Sequence, residues 1–163
     1  MQDRYNVLFL CTGNSSRSIM AEAILNGKRN ANFTAYSAGS HPAGRIHPEA
    51  AKQVQLAGLP ADGLRSKSWD EYAKPGAPEM NFIFTLCDDA AKEVCPIWPG
   101  HPVTAHWGIP DPGNTVGTPE ELEAAFRDAF VLLGRRISLF LALPLESLDH
   151  LAVKTEVARI GRQ

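Results

Sequence analysis

Four apolar residues, Val7-Leu8-Phe9-Leu10, run without a break into Cys11-Thr12-Gly13-Asn14-Ser15-Ser16-Arg17-Ser18. A short continuous apolar run is the mark of a strand buried on both faces. From Ile19 the pattern turns helical, with Ile19, Met20, Ala23 and Ile24 on one face and Asn26-Gly27 as the stop. A buried strand, a small polar loop containing glycine, and then a helix form the opening unit of an α/β fold.

Further elements agree with that opening. Residues 33–38 predict a second strand, closed by Gly39, and Asn81-Phe82-Ile83-Phe84-Thr85-Leu86 predicts a third that ends at Cys87. Residues 103–106 predict a fourth. His47-Pro48 opens a helix that should reach about Ala57, and a short helical piece is expected over residues 68–72. Helices between apolar strands imply right-handed crossovers and a parallel sheet. Thr118-Pro119-Glu120-Glu121 combines a cap, a first-position proline and the acidic partner of a capping box. That helix should run to about Leu143 with Leu122, Phe126, Ala129, Leu133, Ile137 and Phe140 facing the core. After Pro144 a last amphipathic helix is expected over residues 147–160, with Leu148, Leu151, Ala152 and Ala158 on its packed side. The expected organisation is one α/β domain over residues 1–145, with a helical extension over 146–163 packed on it.

Length and charge narrow the function classes. A chain of 163 residues is long enough for one core without disulfide staples. Sixteen basic against eighteen acidic residues leave a net charge of −2, which offers no basic field for a nucleic-acid backbone. The longest apolar run, residues 137–145, is broken by Ser138 and Pro144 and falls far short of the ~20 residues of a membrane span. Residues 1–5 lack the basic stretch of a secretion signal, so a cytoplasmic protein is expected. Three cysteines, an odd number, cannot make a closed structural disulfide set. They are reactive, metal-bound or simply buried.

The loop carries the chemistry. Five residues separate Cys11 from Arg17, and Ser18 follows at once. Successive backbone N–H groups in such a loop make an anion nest, and the helix N-terminus adds about half a positive charge. Arg17 closes the ring with a planar guanidinium suited to a tetrahedral oxyanion. The nest favours the thiolate of Cys11, which makes it a nucleophile, and Ser18 can donate its hydroxyl to that sulfur. Asn14 tolerates the positive φ that a tight loop needs. Thr12, Gly13, Asn14, Ser15, Ser16, Arg17 and Ser18 are therefore the candidate oxyanion-binding residues.

Residues 7–18, with Ala21-Glu22, Ser37-Ala38-Gly39 and Asp111-Pro112, resemble the low-molecular-weight protein tyrosine phosphatase superfamily, and more closely the arsenate reductases built on that fold. The resemblance covers about residues 6–143. It implies a three-layer α/β sandwich around a four-stranded parallel sheet in the order 2-1-3-4. Winding then reverses between strands 1 and 3 and opens a crevice at their carboxyl ends. Cys11, Cys87 and the loop holding Asp111 would all meet there.

A phosphatase needs Cys11, Arg17 and an acid such as Asp111, and usually aromatic residues after the Asp-Pro pair. Here Gly113-Asn114-Thr115 follow instead. Thr85-Leu86-Cys87, Cys95-Pro96 and His106-Trp107-Gly108 resemble the motifs of thioredoxin-coupled reductases. In that scheme Cys11 attacks arsenate, Asp111 acts as general acid, Cys87 resolves the adduct and Cys95 takes over the disulfide, which a thioredoxin-like protein reduces. Glutaredoxin or another thiol system remains open as the donor. The interval from Cys87 to Cys95 is one residue longer than in those reductases. An unbroken helix over residues 88–94 would hold the two cysteines about 12 Å apart, beyond the ~6.8 Å a disulfide tolerates, so that segment is expected to unwind on oxidation. Some relatives bind potassium through residues like Asn14 and Glu22. The ammonium of Lys67 can take that place, and no cofactor or metal is expected.

The expected function is thus arsenate reduction, the alternative being a phosphatase for phosphotyrosine or a small phosphate ester. Two other readings carry less: a metal site from Cys87, Cys95, His101 and His106 matches no common zinc spacing, and an arsenite-binding sensor would have no use for Arg17 or Asp111. His41 and His47 lie beside prolines and are expected to serve as loop or cap residues.

Overall fold

The computed structural model describes residues 4–87 and 102–163. Its elements run β1 (Tyr5–Cys11), α1 (Arg17–Gly27), β2 (Phe33–Gly39), α2 (Pro48–Leu56), β3 (Phe82–Thr85), β4 (Val103–His106), α3 (Pro119–Leu141) and α4 (His150–Ile160). The four strands are all parallel and lie in the order β2-β1-β3-β4. This is the α/β sheet that the resemblance implies.

Every residue of Val7–Leu10 is fully buried because β1 is a central strand covered on both sides. Side chains alternate along it. Val7, Phe9 and Cys11 join the larger core with Met20 and Ile24 of α1 and Phe126, Leu133, Ile137 and Phe140 of α3. Leu8 and Leu10 join Ala38, Met80 and Ile83 in a smaller cluster, against which Tyr36, Trp69 and Tyr72 pack. Trp69 and Tyr72 come from a 3-10 turn at Trp69–Tyr72, where the short helical piece is expected. Asn26, at the end of α1, accepts from Ala35 N–H at 2.8 Å and donates to the Ala35 carbonyl at 3.1 Å, which fixes the helix end to β2.

The start of α3 forms the expected capping box, with Thr118 Oγ1 accepting from Glu121 N–H at 3.2 Å and the Glu121 carboxylate accepting from Thr118 N–H. Such a cap contributes about 1 kcal/mol. The last helix departs from the expectation. Leu145–Ser147 is a 3-10 turn, and α4 starts at His150 behind Asp149, whose carboxylate accepts from Ala152 N–H at 2.8 Å. Its buried residues are Val153, Val157 and Ile160, while Leu151, expected on the packed side, is 72% exposed. The face is chosen by the neighbour: the Val157 carbonyl receives the Trp107 indole N–H at 2.9 Å, and Gly161 closes on the His106 carbonyl too tightly for a side chain. Among the described residues no helix is long and apolar enough to cross a membrane.

The register delivers the chemistry to one edge of the sheet. Leu10 pairs with Thr85, and Leu86 N–H donates to the Leu10 carbonyl at 2.8 Å. Cys11 and Cys87 each follow one residue beyond that bond, side by side at the carboxyl ends of β1 and β3.

Candidate active site

The carbonyls of Thr12, Gly13 and Ser15 accept from the backbone N–H groups of His41, Ala43 and His47, each at 2.9 Å. In a trans peptide the N–H points opposite to its carbonyl. With these three carbonyls tied outward, the N–H groups of Gly13, Asn14 and Ser16 turn to the inner side of the loop. At the start of α1, Ser16 makes no side-chain cap, so the helix N–H groups remain for a bound anion. Asn14 stands at φ 46°, the left-handed conformation for which asparagine suits this position.

Cys11 is buried, a free thiol, with its Sγ 2.7 Å from Ser18 Oγ. Ser18 Oγ in turn accepts from Asn14 Nδ2 at 2.7 Å. Once Cys11 is a thiolate only Ser18 can be the donor of that pair, and the asparagine orients its hydroxyl to do so. Arg17 is buried as well. Its Nη1 donates to the carbonyls of Leu86 at 3.0 Å and Ile109 at 3.1 Å, and its Nη2 lies 3.6 Å from Asp111 Oδ2. Asp111 is partly exposed, and its other oxygen accepts from Gly113 N–H at 2.9 Å, capping the turn Pro112–Asn114. One carboxylate oxygen is thereby fixed while the other faces the loop's arginine.

Behind the loop lies a second polar layer. Lys67 is buried, and its Nζ donates to the Arg65 carbonyl at 2.8 Å, to Ser37 Oγ at 3.2 Å and to Asn14 Oδ1 at 3.4 Å, with Glu22 Oε1 at 3.6 Å. Burial holds the Lys67 amine below its ordinary range, and burial likewise raises the Glu22 carboxyl. These oxygens are the hard ligands that potassium would use. They are already engaged by an ammonium, so the residues present do not fit a potassium ion, and Lys67 stands where the sequence places it. Ser66 also donates to the Gly13 carbonyl at 3.1 Å.

The structure therefore brings together Cys11, the loop from Thr12 to Ser18, Arg17 and Asp111, with Cys87 adjacent through Leu86. Cys87 is buried and disulfide-bonded. Cys95, and the expected unwinding of residues 88–94, lie outside the described residues, as does His101. His47 caps α2 through Nδ1, which accepts from Glu49 N–H, and its ring packs on Phe126. His41 sits on the exposed rim and bonds Ser40. Sequence reading named Ser37 and Gly39 only as part of the resemblance, without a role, and missed the backbone carbonyls that orient Arg17. A Cβ on Gly39 would stand 2.5 Å from the Thr12 carbonyl oxygen and 3.0 Å from Asn14 N, so only glycine lets β2 end against the loop. Nothing local in the sequence marks those contacts, because each partner comes from another element.

Known proteins resemble this chain in sequence and in fold. An arsenate reductase of Bacillus licheniformis is 37% identical over 134 residues, 82% of this chain and 93% of that protein. The crystal structure of an arsenate reductase from Archaeoglobus fulgidus superposes with a TM-score of 0.65 at 25% identity, covering 80% of this chain and 94% of that one. A thioredoxin-dependent arsenate reductase of Corynebacterium glutamicum has a TM-score of 0.56 at 24% identity, over 83% of this chain and 63% of that one. Residues 6–150, from the first strand past the end of α3, match the low molecular weight phosphotyrosine protein phosphatase profile, and with relatives this similar over four-fifths of its length the chain belongs to that family.

Proposed function

We propose that this protein is an arsenate reductase that works by a cysteine relay. The Cys11 thiolate attacks arsenic, an As–O bond breaks, and Asp111 gives its proton to the departing oxygen, which leaves as water. Backbone N–H groups of the loop and Arg17 hold the remaining oxygens. Cys87 then attacks the Cys11 sulfur. The new S–S bond forms as the S–As bond breaks, and its electron pair stays on arsenic, which leaves as arsenite. Cys95 next attacks Cys87, frees Cys11 and leaves a Cys87–Cys95 disulfide. A thioredoxin-like dithiol supplies the two electrons that reopen it. Such a cycle belongs in a reducing compartment, the cytoplasm.

The observation that carries this reading is the pairing of a free Cys11 with a disulfide-bonded Cys87 beside one anion loop. The scheme reaches that combination after its second exchange, and phosphate ester hydrolysis has no need of it. The similar proteins of Bacillus licheniformis and Corynebacterium glutamicum, an arsenate reductase and a thioredoxin-dependent one, support the same chemistry.

Thioredoxin-coupled NADPH oxidation on adding arsenate tests it, in wild type, Cys87→Ser and Cys95→Ser. Turnover lost in both variants is the expected result. Loss in Cys87→Ser alone removes Cys95 from the relay and points to another resolving thiol. No arsenate-dependent turnover with any donor, alongside brisk aryl phosphate hydrolysis, makes the protein a phosphatase.

A further inference from the structure

Arg136, on α3, is 4% exposed. Burial holds its guanidinium below the ordinary range. Its Nη1 donates to the Trp107 carbonyl at 2.7 Å and reaches the Gly108 carbonyl at 3.5 Å, its Nη2 donates to the main-chain oxygen of Gln163 at 3.2 Å, and among the described residues its Nε meets no partner. A buried guanidinium is costly, the more so with one N–H unsatisfied, and a methionine or leucine would fill the same volume without that cost.

What the arginine grips explains its presence. Trp107-Gly108-Ile109 joins β4 to the loop that carries Asp111, and the Ile109 carbonyl is one of the two that orient Arg17. Two guanidiniums thus hold one stretch of backbone from opposite ends, Arg136 at Trp107 and Arg17 at Ile109. The stretch is fixed in between. The Trp107 ring stacks on Phe84 with centroids 3.9 Å apart and planes 8° apart, its indole N–H is taken by the Val157 carbonyl of α4, and Gly108 lies too close to the Cys87 carbonyl and the His106 ring to carry a side chain.

We propose that Arg136 is a positioning residue for the oxyanion site: by fixing the Trp107–Gly108 carbonyls it sets where the Ile109 carbonyl holds Arg17 and where Asp111 stands. The helix α4 is the second half of that clamp. The proposal rests on the reading of Arg17 as the anion-binding group, so the test includes that residue separately.

Inorganic phosphate, a stable tetrahedral oxyanion, is titrated calorimetrically into the full-length protein and three variants. Arg136→Met is expected to weaken phosphate about tenfold, the equivalent of one charge-assisted hydrogen bond to the anion. Leu133→Ala, a core truncation one turn away on the same helix, is expected to lower thermal stability yet change phosphate affinity less than about threefold. In arsenate turnover the Arg136→Met loss should raise KM, through Arg17, and lower kcat, through Asp111. A change below about threefold in Arg136→Met, or an equal loss in Leu133→Ala, overturns the proposal. Phosphate affinity unchanged in Arg17→Met would instead overturn the anion-site reading itself. If Arg136→Met does not fold, Arg136→Lys takes its place, because it keeps the charge but offers one point donor instead of a fork. It is expected to weaken phosphate at least about threefold, and a smaller change is equally fatal.

Discussion

Arg17 donates to the carbonyl oxygen of Leu86 at 3.0 Å, and that carbonyl belongs to the peptide joining Leu86 to Cys87. The group that closes the anion loop is therefore anchored on the backbone of the second cysteine. Through its other terminal nitrogen the same guanidinium lies 3.6 Å from Asp111. In the proposed reaction, oxyanion binding, proton donation and thiol exchange would all depend on one arginine.

Asp111→Asn keeps the oxygen that caps Gly113 and removes the carboxyl proposed as proton donor. Turnover of arsenate at saturation should fall by about 10²–10⁴-fold, the usual worth of a positioned general acid. Phosphate affinity should not weaken, because a negative charge beside the anion has gone. Steady-state kinetics together with phosphate titration check both halves, and weakened phosphate binding would show that Asp111 positions Arg17 instead.

Ser18→Ala deletes the donor 2.7 Å from the Cys11 sulfur. A charge-assisted hydrogen bond is worth about 1.5–3 kcal/mol, so kcat/KM for arsenate should drop roughly tenfold to hundredfold. Asn14→Ala should lose at least as much, since it also gives up the residue that suits φ 46° and the acceptor for Lys67, and the double variant should lose less than the product of the two, because Asn14 reaches the sulfur through Ser18. Additive losses in the double variant would separate the two residues.

Gly39→Ala places a methyl against the Thr12 carbonyl oxygen and Asn14 N. Both are backbone atoms and cannot swing aside, so the loop must move. Phosphate affinity is expected to fall by more than about tenfold, while the melting temperature falls only by the few degrees that a loss of about 1 kcal/mol produces. Titration of phosphate with parallel thermal melts measures the contrast.

The buried pair behind the loop gives stability a pH dependence. Burial raises the Glu22 carboxyl above its ordinary value of 4.5, so between 4.5 and that raised value the folded state holds more protons than the unfolded one. Stability contributed by this group is complete below about pH 4.5 and declines as pH rises through the folded value. Lys67 has the opposite sign, since its amine lies below 10.5 and stability is recovered as pH rises toward that value. Urea midpoints of Glu22→Gln against wild type should diverge as pH rises above about 4.5, with the wild type losing ground. Lys67→Met, which strands Glu22 in the interior, should cost about 3–5 kcal/mol, and the combined Glu22→Gln/Lys67→Met variant markedly less. Parallel pH profiles would show that Glu22 titrates as an ordinary carboxylate.

Local chemistry made much of this molecule legible in the sequence. The run Val7–Leu10 reads as a doubly covered strand because four apolar residues in a row cannot face water on either side. The residues from Cys11 to Ser18 read as an anion loop because glycine, asparagine, hydroxyls and arginine at those spacings are the groups that cradle an oxyanion. Thr118 and Glu121 announced the start of α3, since both partners of the capping box lie three residues apart. Lys67 was legible only as a candidate, through the resemblance.

The rest depended on elements that meet only after folding. Arg17 finds its carbonyls on β3 and on the loop after β4, Lys67 reaches Asn14 and Glu22 across the loop, and Arg136 binds a strand end far from it in sequence. The packed face of α4 was chosen likewise. Leu151 and Val157 are equally apolar, and only the positions of Trp107 and His106 decide that Val157 is buried and Leu151 is not. Sequence by itself determined which chemistry the loop can perform, because that chemistry is held within a few adjacent residues. Tertiary structure decided how the arginine, the acid and the second cysteine are aimed at it, because backbone carbonyls have no residue identity and acquire direction only when strands and helices pack.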